Sequence, residues 1–170
     1  IIIMKNLIIT LIITGLTAIG FAQEKTIALD EVEITGVNYK YLDALGDGFV
    51  AKPVKVLEQK VATFNVKSLD GYEDEENDFY VYFRIPEGKI LAVYDTDGEI
   101  MRTSERFKDI RLPLVVSNAI VEKYPGWSIE GDIYMVSYIK DKKINKTYKL
   151  FIQKDGKHKR VRTDDNGNFL

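Results

Sequence analysis

The chain has 170 residues, with 24 lysines and arginines against 26 aspartates and glutamates, for a formal net charge of −2. So even a balance excludes a general nucleic-acid binder, which needs a basic field to hold phosphates. Having no cysteine excludes disulfides and an N-terminal lipid anchor, and a single histidine leaves neither a typical zinc site nor chemistry built on paired histidines.

Met4 reads as the start of a leader, with Ile1–Ile3 upstream of it and Lys5 as its positive end. Leu7–Ile19 is an apolar run of signal-peptide length, too short to span a bilayer comfortably. Gly20-Phe21-Ala22 then places small residues at the −3 and −1 positions of a cleavage site. The expectation is a signal peptide over residues 1–22 and an exported product, periplasmic or secreted, that meets the membrane only through that peptide. Without disulfides its stability must come from a hydrophobic core, and 45% hydrophobic residues with ten tyrosines suit a strand-rich globular chain.

Residues 23–49 form an N-terminal arm. Thr26–Thr35 is a short strand candidate whose apolar phase flips near Asp30, as at a bulge. Asn38–Leu45 fits more than one element, and Gly46-Asp47-Gly48 is a loop. Lys52–Asn65 reads as a helix: Pro53 suits its first turn, and Val54, Leu57, Val61 and Phe64 make one apolar stripe. Leu69–Asp78 is crowded with acids. Its two readings are a solvated loop and a site for calcium or a cationic partner, though no spacing there matches a calcium loop.

Phe79–Ile85 is a strand with Tyr80, Tyr82 and Arg84 on one side and Val81, Phe83 and Ile85 on the other. Glu87-Gly88 turns it into Lys89–Asp95, and Asp97-Gly98 reads as a type I′ turn with positive φ at both central positions. Glu99–Arg102 extends as a further strand, and Ser104–Arg111 reads as a polar connector between halves. A second helix follows Pro113, with Leu112, Val116, Ala119, Ile120 and Tyr124 in one stripe and Pro125-Gly126 as its stop. Trp127 beyond it suits a core position. Ile129–Ile139 is apolar on both sides, with Ile133, Met135 and Ile139 facing one way and Tyr134, Val136 and Tyr138 the other. Such a strand asks for cover on both faces. Thr147–Gln153 and Lys157–Thr163 are strands joined by Asp155-Gly156, and Asn166-Gly167 closes the chain with a turn.

A repeat organises these elements. Tyr80–Ile100 returns at Tyr148–Phe169, with Phe83 on Phe151, Gly88 on Gly156, Val93 on Val161 and, after one inserted residue, Gly98 on Gly167. The predicted fold is therefore α+β: two tandem helix-plus-antiparallel-hairpin repeats, residues 50–110 and 111–170, forming an antiparallel sheet with helices packed on one face.

No constellation identifies a reaction. Placing Gly98 or Gly167 at the sixth position of an EF-hand loop puts Val93 or Arg162 at the first, where neither can ligate calcium. Neither a Walker-type nor a dinucleotide glycine motif occurs. His158 sits among Lys157, Lys159 and Arg160 as a surface residue. The expectation is no catalytic residue, no metal and no cofactor. From Lys140 to Arg162 there are ten bases and only two acids. One reading is edge protection by charged strands; the other is a docking face for an acidic partner or an anionic lipid headgroup.

Leu112-Pro113, Ala119-Ile120, Tyr124-Pro125-Gly126-Trp127, Tyr148-Lys149-Leu150, Asp155-Gly156 and Asp165-Asn166-Gly167 together resemble the PepSY-like, β-lactamase-inhibitor-like domains of Bacteroidetes-type bacteria. The resemblance covers Arg111–Phe169 well and Lys52–Ile100 more loosely, and the arm before Val50 lies outside it. It implies a secreted or periplasmic protein, a helix packed on an antiparallel sheet in tandem, and a binding or inhibitory role without catalysis. The related inhibitors use disulfides, which this chain lacks. The favoured expectation is a non-catalytic periplasmic module that binds an unidentified protein or peptide. It would do so through an open sheet face bearing Tyr134, Val136 and Tyr138, with Lys157, Lys159, Arg160 and Arg162 beside it. The alternatives are a self-associating or envelope-attached structural protein, and an enzyme working through carboxylates alone.

Overall fold

In the computed structural model the described residues are 38–69, 72 and 78–170. The expected leader, the strand expected at Thr26–Thr35 and most of the acidic segment lie outside them. The elements run α1 (Tyr39–Leu45), α2 (Lys52–Ala62), a 3-10 turn (Val66–Ser68), β1 (Phe79–Ile85), β2 (Gly88–Tyr94), β3 (Ile100–Lys108), α3 (Leu114–Lys123), β4 (Ser128–Ile139), β5 (Asn145–Lys154) and β6 (Lys157–Asp164). The fold is α+β. Six strands lie side by side in chain order, each antiparallel to its neighbour, and the sheet runs unbroken across the seam through the β3–β4 pairing.

The helices cover one face. Val54, Leu57 and Val61 on α2 and Val116 and Ile120 on α3 are buried against Phe83, Ile90, Phe107, Tyr134, Leu150 and Ile152 of the sheet. Spacing of three and four puts each helical set on one stripe, and the alternation of the strands supplies the matching wall. α1 is tied down by polar contacts. The Asn38 amide donates to the Gly98 carbonyl (3.2 Å) and its oxygen accepts from the Ile100 N–H (2.7 Å), while Tyr41 packs edge-on to Tyr138.

Several sequence expectations change here. The Ser104–Arg111 connector is mostly strand, since β3 runs to Lys108 with Thr103, Glu105 and Phe107 turned inward. Two of those three inward residues are polar, so the segment shows no apolar alternation to read. The Asp97-Gly98 turn has positive φ at Gly98 alone. It is held by Asp95, whose carboxylate accepts from the backbone N–H groups of Asp97 and Glu99. The same turn recurs at Asp164, which accepts from the N–H groups of Asn166 and Asn168.

That recurrence also corrects the repeat. Asp95 and Asp164, Gly98 and Gly167, and the pairs Tyr94–Ile100 and Thr163–Phe169 all stand 69 positions apart. The same offset carries back to Phe83 and Ile152, both buried, so no residue is inserted. Phe151, aligned with Phe83 from sequence, points to the opposite face. Structurally β1–β2 therefore corresponds to β5–β6. β4 has no counterpart strand in the first half, and β3 is represented in the second only by the single bridge at Phe169.

Gly88 is a strand residue opposite Phe107, and Pro86-Glu87 makes the turn. A Cβ on Gly88 would lie 2.5 Å from the Arg106 carbonyl oxygen and 2.5 Å from Phe107 Cδ1. Gly88→Ala should therefore force β2 away from β3 and cost about 1–3 kcal/mol, read as a lower urea midpoint. An unchanged midpoint would show that the two strands part without cost.

Candidate functional site

Alternation along each strand decides which side chains lie on the face that no described helix covers, the bare face. From β1 these are Tyr80, Tyr82 and Arg84; from β2, Lys89, Leu91 and Val93; from β3, Arg102, Ser104, Arg106 and Lys108. β4 adds Ile133, Met135, Ser137 and Ile139, β5 adds Lys149 and Phe151, and β6 adds Arg160 and Arg162. Eight of these are permanent cations. Among the described residues the acids near them are at the margins: Asp164 in its turn, Glu87 in the β1–β2 turn, and Glu130, whose carboxylate meets His158 at 3.0 Å.

The face has two regions. On the side of the β2–β3 turn, Tyr80 and Tyr82 stand 59% and 57% exposed on the edge strand, opposite Val93 and Leu91. Arg102 donates to the Tyr80 hydroxyl at 3.1 Å and lies over its ring, and Arg84 lies 5.5 Å from the Tyr82 centroid. These contacts hold the tyrosines upright as amphipathic platforms. Ser104 pairs directly with Ser137, and two such small side chains leave a hollow. It is bounded by Leu91, Val93, Arg102 and Ile139 and measures about 410 Å³. Toward the β1–β2 turn the face becomes a basic band.

The sequence-derived site is only partly here. Tyr134, Val136 and Tyr138 are not on the bare face: they are 1%, 2% and 4% exposed beneath the helices. Alternation separates them correctly from Ile133, Met135 and Ile139, but it does not say which set the helices cover. Lys157 and Lys159 lie on the helix side at the edge strand, with Lys159 4.7 Å over the Tyr124 ring. Arg160 and Arg162 do reach the bare face, opposite Phe151 and Lys149. Missed altogether was the contribution of β3. Its cations share the face with Tyr80 and Tyr82, a relation hidden while Ser104–Arg111 is read as a connector.

A second polar cluster lies inside the core. Glu58 of α2 and Glu105 of β3 are 4% and 2% exposed. Glu105 Oε1 accepts from the Tyr41 hydroxyl (2.7 Å) and from Thr103 Oγ1 (2.8 Å). Burial, then the Glu105 charge, raises Glu58 to about 8, and burial also raises Glu105 against the opposing hydrogen bonds of Tyr41 and Thr103. The remaining oxygens, Glu58 Oε1 and Glu105 Oε2, have no hydrogen-bond partner. Two buried carboxyls side by side favour one proton between them, and the stronger upward shift makes Glu58 its holder. Lys146 stands nearby, donating to the Leu45 carbonyl at the end of α1. The pair is a packed network between helix and sheet, whereas the bare face presents its side chains to solvent.

No protein-family model matches the chain, and no curated protein matches it. Among solved structures it is similar to a BLIP-like protein from Bacteroides fragilis, at 11% identity over 75% of this chain and 88% of that one, with a TM-score of 0.28.

Proposed function

We propose that this chain is a non-catalytic binding module whose bare sheet face receives an acidic protein or peptide segment. The observation that supports this reading is the company the exposed tyrosines keep. They share one face that no described helix covers with a hollow floored by serines and with eight cations, while the described acids sit at the margins. A surface of that kind offers apolar anchoring and rejects basic partners by charge. An apolar side chain of the partner would fill the hollow beside Tyr80 and Tyr82, and its carboxylates would meet the basic band. The leader-like residues before Gln23 point to an encounter outside the cytoplasm.

Selection of peptides from a random displayed library against the purified chain tests this. Enriched sequences should combine aspartate and glutamate with an apolar residue. Their affinity should fall at least tenfold in the double variant Tyr80→Ser/Tyr82→Ser, which removes exposed rings and leaves the fold intact. Enrichment of basic peptides, or undiminished binding by the double variant, would refute the proposal. Binding to anionic vesicles in place of peptides would refute it too.

A further inference from the structure

We infer that the notch under the β1–β2 turn is a dedicated seat for paired carboxylates of the partner, separate from the serine-floored hollow. This deepens the binding reading above and rests on it. Register places Arg84 opposite Lys89 and Lys89 opposite Arg106, a row of three cations across three adjacent strands. Lys108, two residues further along β3, lies on the same side. All four line a cavity of about 370 Å³ whose apolar wall comes from Ile85, Pro86, Phe107 and Ile133.

Like charges directly opposite each other weaken a sheet. Among the described residues none of the four is in an ion pair. Glu87 is the sole acid in the lining, and its carboxylate forms no ion pair with any of the four among the described residues. Edge protection does not account for the row. It explains a charge on β1, but Lys89 and Arg106 belong to interior strands already paired on both sides. An uncompensated row that runs from the edge strand onto two interior strands, at the mouth of a cavity, is a site waiting for negative charge.

Four cations against one acid call for more than one carboxylate. In an extended segment, carboxylates at positions i and i+2 stand about 7 Å apart on one side. That fits within the roughly 10 Å spanned by two strand spacings from Arg84 to Arg106. Arginine at both ends of the row supplies forks that bind carboxylate oxygens in pairs. The apolar wall keeps water back from one side of the contact.

The test uses the full chain labelled with nitrogen-15, titrated with a hexaglutamate peptide, a hexaglutamine peptide and inorganic phosphate. Hexaglutamate should shift the amides of Gly88 and Lys89 saturably, and its affinity should fall as salt rises. Affinity should drop at least tenfold in Arg84→Gln/Arg106→Gln and stay within twofold in Lys157→Gln, a cation on the helix side of the edge strand. Unchanged affinity in the arginine variant, or phosphate shifting the same amides as strongly as hexaglutamate, would overturn the carboxylate seat. The two readings fail separately. If selected peptides lose binding with the tyrosine variant but not with the arginine variant, the face stands and the notch falls. If only the hexaglutamate response survives, the notch is a local anion site and the partner-binding face falls.

Discussion

Stability is expected to decline as pH rises from 5 to 9, by on the order of 3–5 kcal/mol in unfolding free energy. The cause is the Glu58–Glu105 pair. In the unfolded chain both glutamates ionise near 4.5, whereas burial raises Glu58 to about 8 and lifts Glu105 as well. Between those limits the folded state binds more protons than the unfolded one, so each added pH unit favours unfolding. The contribution is fully present below about 4.5 and lost as pH passes about 8. Asp132, raised by burial to about 6 beside Asp109, adds the same sign in the lower part of the window. The groups packed against the pair are Tyr41 from α1, Lys55 on α2 and Lys146 on β5. The buried tyrosines Tyr41, Tyr94, Tyr134 and Tyr148 are all pushed above 10, so their ionisation lies outside this range.

Glu58→Gln is the informative variant. A glutamine amide still donates to Glu105, as the protonated carboxyl does, but carries no charge to repel it. Chemical denaturation followed at pH 5, 7 and 9 should therefore show a much flatter profile, with the variant more stable than the parent at pH 9. A parent profile that is level across this range, or a variant that declines as steeply, would show that the pair is not the titrating group.

Tyr134→Ser is expected to destabilise the fold by about 3–5 kcal/mol, the range for removing a large buried side chain. Tyr134 is 1% exposed, stacks on Tyr148 with centroids 4.6 Å apart and reaches Phe107 across β3. Serine leaves a cavity lined by those rings, and α2 and α3 cannot both settle to fill it. The Tyr80→Ser/Tyr82→Ser pair serves as contrast, since rings more than half exposed should cost under about 1 kcal/mol. Thermal melts of both proteins decide it. Equal melting temperatures would mean that Tyr134 is not part of the core, and the two faces of the sheet would have to be exchanged.

Local chemistry was enough for most element positions. Val54, Leu57 and Val61 on one stripe, Val116 and Ile120 on another, and the alternation of Phe79–Ile85 each announce their element through period alone. The turns at Asp155-Gly156 and at Gly98 and Gly167 follow from backbone needs, with positive φ at each glycine. The continuation of β3 beyond Arg102 was not legible because Thr103 and Glu105 occupy its inward positions. A strand whose buried side carries a carboxylate looks like a loop until its hydrogen-bond donors are known, and Tyr41 lies 64 positions away. The inserted residue in the repeat was an artefact of matching Gly88 to Gly156. The first is glycine because Phe107 presses against it, the second because its turn requires it.

Sequence alone thus determined two of the three described helices, five strands and the start of the sixth, the α+β class and the absence of any familiar reaction motif, since each depends on neighbours a few positions apart. Tertiary structure decided which side of the sheet the helices cover. Alternation defines two faces and labels neither, and here both carry tyrosines. Only the packing of α2 and α3 shows that Tyr134, Val136 and Tyr138 lie within, leaving Tyr80, Tyr82 and the cations of three adjoining strands to meet the solvent.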